Sequence, residues 1–188
     1  MTELALHQSH TLGPLYIVVE RFDARLGEKW EKFISWSGLA QVQEVVSLDR
    51  MLCPTVIEEI LDEDWAYIVN ENFMLDYFLD LDYLLRRVGS WNTKNLLCVF
   101  RNPSAAPALL SSPLQFEFLG YDLVDVTGAA SPITNCGGFP DVFANSELNR
   151  YGLLSSIQRA REVQQQLFAK YKGESHTETH LWGIARAL

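Results

Sequence analysis

Between Met51 and Leu85 the chain carries nine carboxylates and no Lys or Arg. They are Glu58, Glu59, Asp62, Glu63, Asp64, Glu71, Asp76, Asp80 and Asp82. Uncompensated charge of this density has to face water, so the segment must lie at the surface of whatever the chain folds into. Its formal charge of −9 equals that of the whole protein, because residues 1–50 carry −2 and residues 86–188 carry +2. Six aromatic residues are threaded through the acid: Trp65, Tyr67, Phe73, Tyr77, Phe78 and Tyr83. Rings beside carboxylates are the composition of a surface that steers and then anchors a basic partner.

The segment is expected to form two helices. Pro54 suits the first helical position before Thr55–Leu61, which places Glu58 and Glu59 near the positive end of that helix dipole. Residues 65–69 fit either a short strand or a continuation of this helix. Asn72 is a candidate cap for a second helix running from Phe73 to Arg87. On such a helix Asp76, Asp80, Tyr83 and Arg87 share one stripe, and Leu75, Phe78, Leu79 and Leu85 turn inward. Asp76 and Asp80 would then repel at i,i+4 by about 0.2–0.5 kcal/mol, an arrangement with little benefit to folding. The candidate partner-binding residues are therefore Glu58, Glu59, Asp62, Glu63, Asp64, Trp65, Asp76, Tyr77, Asp80 and Tyr83. Tyr77 and Tyr83 are the expected exposed rings, since Tyr tolerates a wet edge.

An acidic helix studded with tyrosines resembles the inhibitory surface of small bacterial immunity proteins, which neutralise basic nuclease toxins. The resemblance covers some 35 of the 188 residues. It implies a non-enzymatic binding protein with a basic protein partner, a secreted toxin being the natural one. Those proteins have several unrelated folds, so the likeness implies nothing about architecture.

Elsewhere the local signals are mixed. Leu15–Val19 and Leu96–Phe100 read as strands, and Val42–Leu48 as a weaker one. Leu114–Val126 reads as one long strand or a hairpin with a bend or bulge at Gly120. Arg25–Trp36 has helical periodicity ending at Gly38. Ile157, Ala160, Val163, Leu167, Phe168 and Tyr171 form the apolar stripe of a further helix. Residues 179–188 are expected to form a final strand with Trp182 and Ile184 on one face. Residues 102–113 and 127–140 read as loops. Residues 1–12 are expected to be flexible, ahead of a single α+β domain over 13–188 with a mostly antiparallel sheet and several packed helices.

Several function classes are disfavoured. The net charge of −9 opposes nucleic acid and anionic membranes as ligands. No apolar run approaches the roughly 20 residues needed to span a bilayer. Met1–Gly13 lacks the basic start and apolar centre of a secretory signal, so the expected location is the cytoplasm. Three widely spaced cysteines do not make a disulfide framework. No Walker or Rossmann glycine spacing occurs, and basic residues are dispersed. No cofactor is expected. Asp62-Glu-Asp64 and Asp80-Leu-Asp82 offer oxygen ligands, but the EF-hand positions counted from Asp62 hold Tyr67 and Phe73 instead of Gly and Glu. His176 and His180 stand at i,i+4 without the His-Glu-x-x-His order of zinc helices. The alternative to a binding protein is a small hydrolase or transferase. It would use Cys136, in its Asn-Cys-Gly-Gly loop, with His176 or His180 as base, or a carboxylate-bound metal.

Overall fold

A computed structural model describes residues 12–71, 75–107, 114–126, 129–135 and 139–188. The expectations for the N-terminal tail before Leu12, for Phe73, and for Cys136 with its flanking glycines lie outside these residues. The strands are β1 (Leu12–Val19), β2 (Phe22–Asp23), β3 (Glu44–Val45), β4 (Ile68–Glu71), β5 (Leu75–Phe78), β6 (Asn95–Arg101), β7 (Phe116–Asp125) and β8 (Thr179–Ala187). Six of them form one sheet in the order β4-β5-β1-β6-β8-β7, with every neighbouring pair antiparallel. β2 and β3 form a separate two-residue ladder. The described helices are α1 (Glu28–Ser37), α2 (Leu81–Val88) and α3 (Ile157–Lys170). The expected α+β class holds.

The period of two in β1 divides the interior. Leu15, Ile17 and Val19 enter the main core with Tyr77, Leu97, Val99, Trp182 and Ile184. Val18 enters a second cluster with Phe78, Leu96 and the inward residues of α2, Leu81 and Leu84. α1 closes the main core through Phe33, whose ring meets Phe22 edge-on at 5.1 Å. It ends where Gly38 takes the left-handed conformation and donates its N–H to Ile34 O. α3 starts at a Ser156 cap and buries Ala160, Val163 and Leu167, three members of the apolar stripe read from the sequence. β7 is one continuous strand with a register shift between Phe118 and Gly120. A Cβ on Gly120 would stand 2.8 Å from Leu154 O, where Leu154 bridges Tyr121 of β7.

Two helical expectations fail. Residues 73–87 are not one helix: β5 ends at Phe78, and α2 begins at Leu81 on an Asp80 cap. The Asp76–Asp80–Tyr83–Arg87 stripe therefore does not exist. Pro54 does not open a helix either. Glu20 N–H donates to Pro54 O, Val56 N–H donates to Val18 O, and Thr55 bridges Val19. In both places backbone pairing with β1 displaces a locally plausible helix, as Tyr16 opposite Phe78 does for β5.

Two of the four buried carboxylates, Asp49 and Asp122, share one hydrogen-bond network. Asp122 of β7 accepts hydrogen bonds from Ser47 Oγ at 2.5 Å and Ser131 Oγ at 2.7 Å. Asp49 accepts from the Met51 and Leu52 N–H groups on one oxygen, and from Ser131 N–H and Asn135 Nδ2 on the other. This network ties residues 131–135 to the core. Burial raises the Asp122 carboxyl to about 7; the two serine hydrogen bonds oppose the rise and the charge of Asp49 adds to it.

Candidate functional site

Asp64 organises the acidic segment. It stands third in a 3-10 turn, Asp62–Ala66, and its Oδ2 accepts the Leu61 N–H at 2.8 Å. Its Oδ1 accepts the Tyr83 hydroxyl at 2.7 Å and Arg87 Nε at 3.1 Å. Arg87 Nη2 also donates to Glu59 O at 2.9 Å, so one guanidinium holds residues 59–64 against α2. Tyr83 stacks on Tyr67 with 3.9 Å between ring centroids, and Leu79 N–H donates to Tyr67 O. The Asp64 side chain is 0% exposed. Burial alone would raise its carboxyl, but the Leu61, Tyr83 and Arg87 hydrogen bonds outweigh it and hold the group below the usual range. The same bond to Asp64 pushes the Tyr83 hydroxyl up to about 12.

This clasp fuses two acidic elements into one face. Glu58, Glu59, Asp62 and Glu63 are exposed on the first, and Asp80 and Asp82 on the second. Between them Trp65 is 58% exposed and Leu79 52%. A cleft of about 320 Å³ is lined by the apolar Val56, Ile57, Leu61 and Val88 together with Glu58, Glu59 and Arg87. Its apolar lining and its carboxylates suit the aliphatic stem and cationic head of a long basic side chain.

The predicted site residues divide accordingly. Glu58, Glu59, Asp62, Glu63, Trp65 and Asp80 reach the surface together. Asp64 is buried and Tyr83 half-buried, and both serve the clasp. Asp76 is half-buried in β5 and lines a small pocket with Ile17 and Phe78. Tyr77, expected as an exposed anchor, is 0% exposed and stacks on Trp182 at 5.0 Å. On a strand its neighbours alternate in facing, so Tyr77 turns into the core where a helix would have turned it out.

Cys136 lies outside the described residues. Cys53 and Cys98 are buried, as expected; burial pushes the Cys98 thiol up to about 12 and the Cys53 thiol higher still. The two histidines do not share a strand face, because β8 begins after His176. His176 Nδ1 meets the buried carboxylate of Asp125, whereas His180 is buried with its Nδ1 3.4 Å from Asn102 Nδ2. Among the described residues no group of three or more His, Cys, Asp or Glu is arranged to hold a metal ion. Among them, too, no helix is long and apolar enough to cross a membrane.

One feature has no signal in the sequence. Arg21, Arg25, Arg150 and Arg186, separated by up to 165 positions, line a single concavity with Tyr151 and Glu44. Basic residues dispersed along the chain are therefore gathered in space. No family profile, curated protein or solved structure matches the chain.

Proposed function

We propose that this chain is a binding protein that occludes a basic protein partner through the acidic face around Trp65, the mode of toxin-neutralising immunity proteins. The observation that carries this reading is the Asp64–Tyr83–Arg87 clasp. It uses part-buried hydrogen bonds on the buried Asp64 carboxylate to tie residues 59–64 to α2, in a segment that exposes six carboxylates together with Trp65 and Leu79. Folding gains nothing from crowding these charges, whereas association gains steering from the carboxylates and affinity from the ring. The partner presents Lys or Arg side chains, one of which enters the Glu58–Glu59 cleft.

Binding to the basic proteins encoded beside this gene provides the test, with the chain immobilised at low and high salt. Association should slow steeply as the Debye length falls from about 30 Å to about 8 Å. Asp62→Lys with Glu63→Lys should cut the association rate, and Trp65→Ala should cost about 2 kcal/mol, mostly in dissociation. Binding that ignores salt and both substitutions would refute the assignment of this face.

A further inference from the structure

We propose that the concavity lined by Arg21, Arg25, Arg150 and Arg186 is a binding site for a phosphate dianion carried on a small molecule. The concavity has a volume of about 470 Å³. It lies on residues from β1–β2, β3, the loop before α3, and β8, none of which belongs to the acidic face.

Charge is the first argument. Two carboxylates, Asp23 and Glu44, answer the four guanidiniums of the lining. Arg25 forks onto Asp23, with Nε and Nη2 contacts of 2.9 and 2.7 Å. Glu44 is shared: Arg186 Nη1 lies 2.7 Å from one oxygen, and Arg21 Nε 3.9 Å from the other. Lys94, whose carbonyl accepts from Arg21 Nε, is itself paired with Glu20. Two positive charges therefore remain in excess, in a molecule whose net charge is −9. That local excess matches one dianionic group. A polyanion such as a nucleic-acid strand would extend past the concavity into the repulsion of the remaining surface.

Preorganisation is the second. Glu44, with its side chain only 12% exposed, also accepts Asn95 Nδ2 at 2.8 Å, so the floor on which Arg186 rests is fixed. The Arg150 carbonyl accepts the N–H groups of both Gln43 and Glu44. The guanidinium carbons of Arg150 and Arg186 stand 4.7 and 4.9 Å from the Tyr151 ring centroid, and Arg186 Nη2 lies 3.2 Å from the Tyr151 hydroxyl. Arg186 already donates to Glu44 and Tyr151, so Arg150 is the guanidinium whose position against the ring leaves its in-plane N–H groups to grip phosphate with paired hydrogen bonds. The volume beyond one phosphate leaves room for the organic group that bears it.

The test is calorimetric titration of the full chain with inorganic phosphate and with glycerol phosphate, against sodium chloride at matched ionic strength. Saturable binding at or below about 1 mM by either phosphate, with none from chloride, is the expected result. Tighter binding of glycerol phosphate than of inorganic phosphate supports a phosphate ester as the ligand, and equal or weaker binding overturns the ester and leaves free phosphate. Arg150→Gln, at an exposed position that leaves the Glu44 pairs intact, should weaken binding about tenfold or more without changing the unfolding temperature in phosphate-free buffer. Lys32→Gln on α1, outside the concavity, should leave binding as it was. No saturable binding by either phosphate, or affinity that survives Arg150→Gln unchanged, overturns the proposal.

Discussion

Replacing Asp122 with Asn isolates the cost of an interior carboxylate. Asp122 is fully buried, and its only described hydroxyl donors are Ser47 and Ser131. Its carboxyl titrates at about 7 in the fold, against 3.8 for an ordinary Asp. The folded pKa is the higher one. Between about pH 4 and pH 7 the folded chain therefore holds a proton that the unfolded chain has released. Stability is undiminished below the unfolded pKa, falls as pH rises through that window, and levels off above it. The full span corresponds to about 4 kcal/mol, of which about 2–3 kcal/mol lies between pH 5 and pH 8. For a chain of this length that difference is worth about 5–10 °C in Tm. Asn cannot ionise, so Asp122→Asn removes this slope, whatever constant penalty its altered hydrogen bonding adds. Urea unfolding of both proteins at the two pH values gives the stability difference directly. The variant should gain about 2–3 kcal/mol on the parent as pH rises. A stability difference that stays constant with pH would refute the reasoning.

Two further substitutions test the architecture. Arg87→Ala strips the cation from a carboxylate that is 0% exposed, while leaving it the Leu61 and Tyr83 donors. Arg87 is itself 24% exposed, so the loss should be about 2 kcal/mol by urea unfolding, below the roughly 3–5 kcal/mol of a fully buried pair. Amide exchange should accelerate through residues 59–67, and an unchanged exchange pattern there would dismiss the clasp. Gly120→Ala forces a Cβ to 2.8 Å from Leu154 O and 3.0 Å from Leu153 Cβ, at a φ of +145°. It should destabilise by about 2–3 kcal/mol in thermal unfolding, and a neutral result would contradict the bulge.

The acidic segment was legible as a largely exposed stretch from its charge alone, because carboxylates crowded without a cation among them favour water, and six of the nine are exposed. Its internal arrangement was not. Asp64 carries the same charge as Asp62 and Glu63, and only the arrival of Tyr83 and Arg87, 19 and 23 residues later, makes it the buried member. Tyr77 was misplaced for a related reason. A run of apolar and polar residues this short fits both periods, and the decision came from ladder bonds to β1, some 60 residues earlier.

The sequence by itself determined the elements whose stability is local or whose pattern is long. These are the apolar stripe of α3, the Gly38 stop of α1, the β-branched run of β1, the apolar run of β6, and the bulge at Gly120. Each follows from backbone propensity or from a periodicity repeated often enough to exclude its rival. Tertiary structure alone decided the strand order, the burial of Asp49 and Asp122, the clasp on Asp64, and the convergence of four arginines spread from residue 21 to residue 186. The physical reason is common to all four. Charge and hydrogen-bond partners act over a few ångströms of space, and only the folded sheet converts separations of tens to hundreds of residues into such distances.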